Sequence, residues 1–562
     1  MLDFLMWIYR MKFVTKHTSF TLRTLALTAL LTICQLGGFA GNLAAQEKPN
    51  IVFIFSDDHA NHAIGAYQGL FADVNPTPNI DALAASGMIF RKSFCTNSIC
   101  GPSRAVILTG LHSHKNGFMS NGNQFDGSQM TFPKLLGKAG YQTAIIGKWH
   151  LKSLPQGFDH WEVLPGQGDY YNPVFLSPGD NDEAKRETFE GHCTDLVTDK
   201  AIAWLTEQTQ GEDKKPFMLM CQHKAPHRAW MPALRHLDLY ADMDMPEPDT
   251  LFDKWEDNAS GAQHQTMRVD RDLHLSYDLQ LPLPADYDPA KEQGGSLDKS
   301  AFNNLGKMTE AQRAEWDAKW KDRNDAYFAA NLTGDELVRW KYQRYIKNYL
   351  RCIKGVDESV GRINQWLKDN GLADNTVVIY ASDQGFYLGD HGWYDKRWMY
   401  EESMMMPLIV SWPGVTAPNS ENNHLVQNLD YAQTFLDICG AEAPQTMQGR
   451  SLVPLLKGES PEDWRTSLYY HYYAYPGAHM VPKHCGVRTE THKLMHFYQL
   501  DEWEFYDLKA DPDELANGYN DAANADKIAE LKQELTRLQD RFQDDSDRSV
   551  KPAEWHSEMR NR

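Results

Sequence analysis

Cys100 begins the string Cys100-Gly101-Pro102-Ser103-Arg104-Ala105-Val106-Ile107-Leu108-Thr109-Gly110. Pro102 suits the first turn of a helix, which places Cys100 at a helix N-terminus, where free backbone N–H groups and the helix dipole favour an anion. A thiolate nucleophile is one chemistry that this position supports. Four more groups able to do chemistry each follow an apolar run: Asp57-Asp58, Lys148-Trp149-His150, Ala225-Pro226-His227 and Asp383-Gln384-Gly385. Taken singly, an Asp pair after a strand is more often a solvated turn, and a lone Lys or His more often surface or structure. Their shared position makes chance a poor explanation.

The runs that carry these groups are Asn50 to Ser56, Tyr141 to Gly147, Pro216 to Gln222 and Thr376 to Ser382. Each is rich in β-branched and apolar residues and reads as a buried parallel strand. In open α/β sheets ligands bind beyond the carboxyl ends of the strands, so the four tips should converge on one site. Between the strands, Asp335 to Lys368 has apolar residues at helical spacing from Tyr345 to Leu367, with a capping-box signature in Thr333 and Glu336. Residues 241–330 are polar and read as a long insertion that shapes access rather than as core. From about residue 465 short aromatic runs (Leu468 to Tyr473, Val487-Arg488, Leu494 to Tyr498, Glu504 to Leu508) indicate an antiparallel sheet, closed by a helix from Ala525 to Phe542.

At 562 residues, 42% of them apolar and 23% charged, the chain has ample material for a large core and is not a disordered segment. Its formal charge of −20 makes nucleic acid and anionic membranes poor partners, and an anionic substrate would need a local cationic site. Lys12, Lys16 and Arg23 precede an apolar stretch from Leu25 to Phe39 and a small-residue run ending at Ala45, which reads as a secretory signal peptide over residues 1–45. The stretch is short for a membrane span. Lipidation at Cys34 is the rival reading, opposed by bulky Ile33. Export to the periplasm or the medium follows. The eight cysteines show no CxxC pair and no disulfide framework.

The string from Cys100 to Gly110 resembles the type I sulfatase signature C-x-P-S-R-x-x-x-L-T-G, whose Cys a maturation enzyme oxidises to Cα-formylglycine. The resemblance implies an α/β fold like that of alkaline phosphatase, a large mixed sheet flanked by helices with a smaller C-terminal antiparallel subdomain. Residues 46–464 would then be catalytic and 465–562 the subdomain. Carried over residue by residue, it implies that Asp57, Asp58, Asp383 and Gln384, with the modified Cys100, hold one divalent ion. Many relatives have Asn where this chain has Gln384. A shell of oxygen ligands suits calcium better than zinc.

Gly147-Lys148-Trp149-His150 and Ala225-Pro226-His227 match the family's G-K-W-H and A-P-H elements, and Lys396 matches its second sulfate-contacting lysine. The resemblance assigns Lys148, Lys396 and Arg104 to the sulfate and the formylglycine hydrate. It makes His227 the proton donor to the leaving sugar oxygen and His150 the base that regenerates the aldehyde. A sulfate monoester is an anion that repels a nucleophile, which explains the need for a metal and fixed cations. The segment from Tyr469 through Arg488 is similar to bacterial N-acetylglucosamine-6-sulfatases, which implies exo-acting 6-O-desulfation of a sulfated glycan, with His471, His479, His484 and Arg488 as sugar-pocket candidates. Iduronate-2-sulfatase-like and algal polysaccharide sulfatases share much of the pattern, and some phosphonate or phosphate monoester hydrolases share the metal and formylglycine set.

Overall fold

The computed structural model describes residues 48–551 apart from 75, 181–182, 211–213 and 292–295. The expected signal peptide and Cys34 lie outside the described residues. Four strands form the centre of a ten-stranded mixed sheet: β1 (Asn50–Asp57), β2 (Gln142–Lys148), β3 (Phe217–Pro226) and β4 (Thr376–Ser382). They are adjacent and parallel in the order β4-β1-β3-β2, with Ile54 opposite Tyr380 on one side and Cys221 on the other. These are the four strands expected from the sequence. Strands buried on both faces have no reason to alternate polar residues, which is why each reads as a continuous apolar run. Their carboxyl ends point the same way, so the polar residues just beyond them share one edge.

Helix α1 (Cys100–Thr109) is buried along its whole length, and Gly110 ends it in the left-handed region at φ 63°, its N–H donating to the Val106 carbonyl at 2.8 Å. At Gly147, φ is 106° and a Cβ would stand 1.9 Å from the Gln222 carbonyl oxygen, so only glycine lets β2 lie this close to β3 just before Lys148.

Two expectations are corrected. Helix α4 (Gly334–Asp369) has the expected extent, but the Thr333 side chain makes no capping bond. The capping box belongs to the helix before it, α3 (Glu310–Ala330), where Thr309 and Gln312 satisfy each other's backbone N–H groups. The 241–330 segment also contributes to the core: Trp255, Met267, Leu279, Trp316 and Trp320 are buried, and helix α2 (Leu297–Gly306) lies within it. Its few large aromatics do the packing, which a polar average conceals.

The C-terminal antiparallel sheet runs Ser467–Tyr472, His484–Thr489, His492–Phe497 and Glu502–Asp507 in sequence order, and helix α5 (Ala525–Phe542) packs on it through Ile528, Leu531, Leu535 and Leu538. Seven cysteines are described and all are buried. No helix among the described residues is long and apolar enough to cross a membrane.

Candidate active site

Ile99 is extended and the chain turns helical at Cys100, so the Cys100 side chain sits at the first turn of α1 with 1% of its surface exposed. The thiolate reading fails here. Burial pushes the thiol pKa up to about 12, helped by Asp58 and Asp383 and opposed by Lys396 and Arg104. At neutral pH the thiol stays protonated and is a poor nucleophile.

Asp57 ends β1 and Asp58 follows it, and Asp383 and Gln384 follow β4 beside it. All four are fully buried, and the three carboxylates can bring oxygens within 4.8 Å of one another. The Asp58 backbone N–H donates to Asp383 Oδ1 at 3.1 Å, which locks the two strand ends together. Burial raises the Asp58 pKa to about 7 against the pull of Lys396, with Asp383 and Asp395 adding to the rise. The Gln384 amide N–H₂ donates to Asp58, leaving Gln384 Oε1 buried without a hydrogen-bond partner. Asp57 Oδ1 likewise accepts no hydrogen bond, with Arg104 Nη2 3.8 Å away. Buried orphan oxygens beside clustered carboxylates are the donor set of a hard cation, so these residues fit calcium or magnesium.

The cations come from separate elements. Lys148, from the end of β2, reaches Asp57, and Lys396 Nζ lies 2.6 Å from Asp58 Oδ2. Arg104 on α1 donates to Asp383 Oδ2, to the Lys148 carbonyl at 2.9 Å and to Gln222 Oε1. Three lysine and arginine charges thus balance three carboxylates, and a divalent ion would leave the site net positive, ready for a sulfo anion.

His227 donates Nδ1–H to the Arg228 carbonyl at 2.6 Å, which turns Nε2 towards Asp58 at 3.8 Å. His150 keeps Nδ1 buried and unpartnered. Burial, then Lys148, holds both rings well below the ordinary histidine pKa. The structure therefore gathers Asp57, Asp58, Cys100, Arg104, Lys148, His227, Asp383, Gln384 and Lys396 in one linked cluster, with His150 next to Lys148.

Residues 49–441 match the family model described as Sulfatase, and residues 389–541 match that described as N-sulphoglucosamine sulphohydrolase, C-terminal. The chain belongs to the sulfatase family. It is a sulfuric ester hydrolase. It is 44% identical over 504 residues to an N-acetylglucosamine-6-O-sulfatase of Bacteroides thetaiotaomicron, covering 89% of this chain and 87% of that one. The human N-acetylglucosamine-6-sulfatase is 25% identical, over 77% of this chain and 69% of that one. A solved structure described as in complex with its substrate D-glucosamine-2-N,6-O-disulfate superposes with a TM-score of 0.84 at 44% identity, over 89% of this chain and 99% of that one. A phosphonate monoester hydrolase from Silicibacter pomeroyi, at 20% identity and a TM-score of 0.62 over 88% of this chain and 96% of that one, shares the fold alone.

Three of the sulfatase's expected sugar-pocket residues have other partners. His471 is 1% exposed, joined to Asp544 at 2.7 Å and Tyr498 at 3.1 Å and stacked on Tyr473. His484 is fully buried among Trp398, Tyr470 and Tyr472, and Arg488 spends its fork on Glu401. Their surfaces are consumed by packing and ion pairing, which is a structural use. His479 differs: its Nε2 is 3.3 Å from Asp395, the residue before Lys396. Asp395 also takes Arg397 Nε at 3.1 Å. Asp395 and Arg397 were missed because a charged residue beside a recognised lysine looks like ordinary surface. Both are buried, and both have positive φ, 78° and 98°.

Proposed function

We propose that this sulfatase is an exported, exo-acting enzyme that removes the 6-O-sulfo group of a terminal N-acetylglucosamine or a related glucosamine in a sulfated glycan. The observation that carries this reading is the 44% identity, over 89% of the chain, to an N-acetylglucosamine-6-O-sulfatase. Asp57, Asp58, Asp383 and Gln384 would hold one calcium ion, and residue 100 would be formylglycine made by a maturation enzyme. Together these groups supply a charge-stabilising cation and a hydrated aldehyde as nucleophile.

The chain's own residues do the rest. Lys148 and Lys396 hold the sulfo oxygens, and Arg104 fixes Asp383 and the start of α1. His227, with Nδ1–H tied to a carbonyl and its ring neutral in the free protein, presents Nε2 to the leaving oxygen, and the negative charge of the bound ester favours the imidazolium that would give its Nε2 proton there. His150 accepts a proton beside residue 100. Asp395, Arg397 and His479 form a polar cluster next to Lys396 that suits the hydroxyls of a terminal sugar, in place of His471, His484 and Arg488. A buried polar group left unmatched by the wrong sugar costs about 1–3 kcal/mol.

The N-terminal residues 1–45 support export and removal as a signal peptide. The test is sulfate release from a panel: 6-sulfated N-acetylglucosamine, 6-sulfated galactose and a disaccharide ending in 2-sulfated uronate. The first should be turned over best. A preference for either of the others overturns the sugar assignment.

A further inference from the structure

A cavity of about 750 Å³ lies between His227 and the insertion helix α2, with Gln167, Tyr170, Lys224, Arg228, Phe302 and Lys307 among its walls. It opens directly from the reaction centre, since His227 lines it and the Gln167 amide oxygen accepts from Lys148. Three fixed cations line it, and two are already neutralised. Arg228 gives Nε and Nη2 to the two oxygens of Asp278 at 2.6 Å each, and Lys307 Nζ is 3.2 Å from Asp169.

Lys224 has no such partner. It is 5% exposed, its ammonium lies 4.8 Å from the centre of the Tyr170 ring and 3.4 Å from the Arg228 carbonyl oxygen, and among the described residues no carboxylate is within 4 Å of it. The Tyr170 hydroxyl, which donates to the His227 carbonyl at 2.6 Å, is neutral and supplies no counter-charge. Asp169 and Asp58 act on Lys224 only from beyond 4 Å, and a buried ammonium with no carboxylate in contact is costly unless something brings one. Phe302, 44% exposed and with its ring centre 6.0 Å from that of Tyr287, adds an aromatic surface of the kind on which a sugar ring can rest.

We propose that Lys224 is a specificity-determining residue that takes a second anionic group of the substrate, a sulfo or carboxylate group on the sugar that bears the scissile ester or on its neighbour. The proposal rests on the glycan reading above. It makes this a sulfatase tuned to multiply charged glycans, with the first anion cleaved and the second held. The N-sulfo group of a glucosamine and the carboxylate of an adjoining uronate offer the same chemistry from two sources.

The experiment compares wild type, Lys224→Met and Lys224→Arg on three substrates: N-acetylglucosamine 6-sulfate, glucosamine 2-N,6-O-disulfate, and a 6-sulfated N-acetylglucosamine linked to a uronate. Wild type should favour one or both doubly anionic compounds over the first by about tenfold or more in KM, the scale of one charge-assisted hydrogen bond. Lys224→Met should close that gap and Lys224→Arg should keep most of it. The compound whose advantage disappears identifies the source of the anion. No preference in wild type, or a proportionate loss on all three compounds in Lys224→Met, overturns the proposal. If none of the three releases sulfate, the 6-O-sulfo reading falls. The anion preference is then read from calorimetric binding of the same compounds, where equal affinities in wild type and Lys224→Met overturn it.

Discussion

Arg104 holds Asp383 by a single oxygen: Nε and Nη2 stand 3.2 and 3.0 Å from Oδ2, while Oδ1 accepts the backbone N–H of Asp58. One carboxylate thus ties the signature helix to the ends of two strands. Lysine keeps the charge but cannot reproduce the planar fork. Arg104→Lys should lower kcat by roughly 10²-fold or more, as expected for loss of a positioned donor in a reaction centre. The comparison requires samples whose residue 100 has the same mass as in wild type. An unchanged kcat would remove Arg104 from the machinery.

Activity should follow the fraction of chains with formylglycine at position 100, read by peptide mass spectrometry against specific activity. The unmodified thiol, pushed up to about 12 by burial, should contribute nothing at neutral pH and should not be awakened by raising the pH to 9. High turnover from a fully thiol sample would sink this account.

The strands and the cluster of buried charged residues beyond their ends were legible in the sequence for a physical reason. Continuous apolar runs such as Asn50 to Ser56 must be buried on both faces, and the chemistry then falls at their ends. The sugar side was not. His471 pairs with Asp544 and Arg488 with Glu401, partners 73 and 87 residues away that only tertiary structure brings together. Asp395 and Arg397 were hidden by the same rule in reverse, since nothing local says that a polar stretch after Trp393 will be buried. The Thr333 cap failed because a side chain that could bond the first turn need not do so once packing fixes the helix, and α4 is held by Tyr345, Tyr349 and Ile353 in the core.

Calcium should stabilise the folded protein through the orphan oxygens of Asp57 and Gln384. At a free concentration a hundredfold above Kd the gain is about 2.7 kcal/mol, visible as a rise in Tm. Asp57→Ala should lose both that rise and the bound metal found by elemental analysis while remaining folded by circular dichroism. A variant that keeps its metal would place the ion elsewhere.

His391 links the insertion to the loop that carries Lys396, with Nδ1 3.2 Å from Asp253 and Nε2 3.7 Å from Glu402. Burial disfavours its charge, but the two carboxylates overcome this and raise its pKa to about 10. Because the folded pKa lies above the ordinary 6.5, its stabilisation is complete below pH 6.5 and is lost as pH rises through 10. Wild-type Tm should therefore fall between pH 7 and pH 10 more steeply than that of His391→Gln. Parallel curves would show that the imidazolium carries no net stabilisation.

The most direct measurement is free sulfate, by ion chromatography, from N-acetylglucosamine 6-sulfate incubated with matured wild type and, in parallel, with Cys100→Ala. One equivalent of sulfate per sugar from wild type and none from the variant is the predicted result. No release by fully matured wild type, or equal release by both proteins, would contradict a sulfatase that acts through residue 100 on glucosamine 6-sulfates.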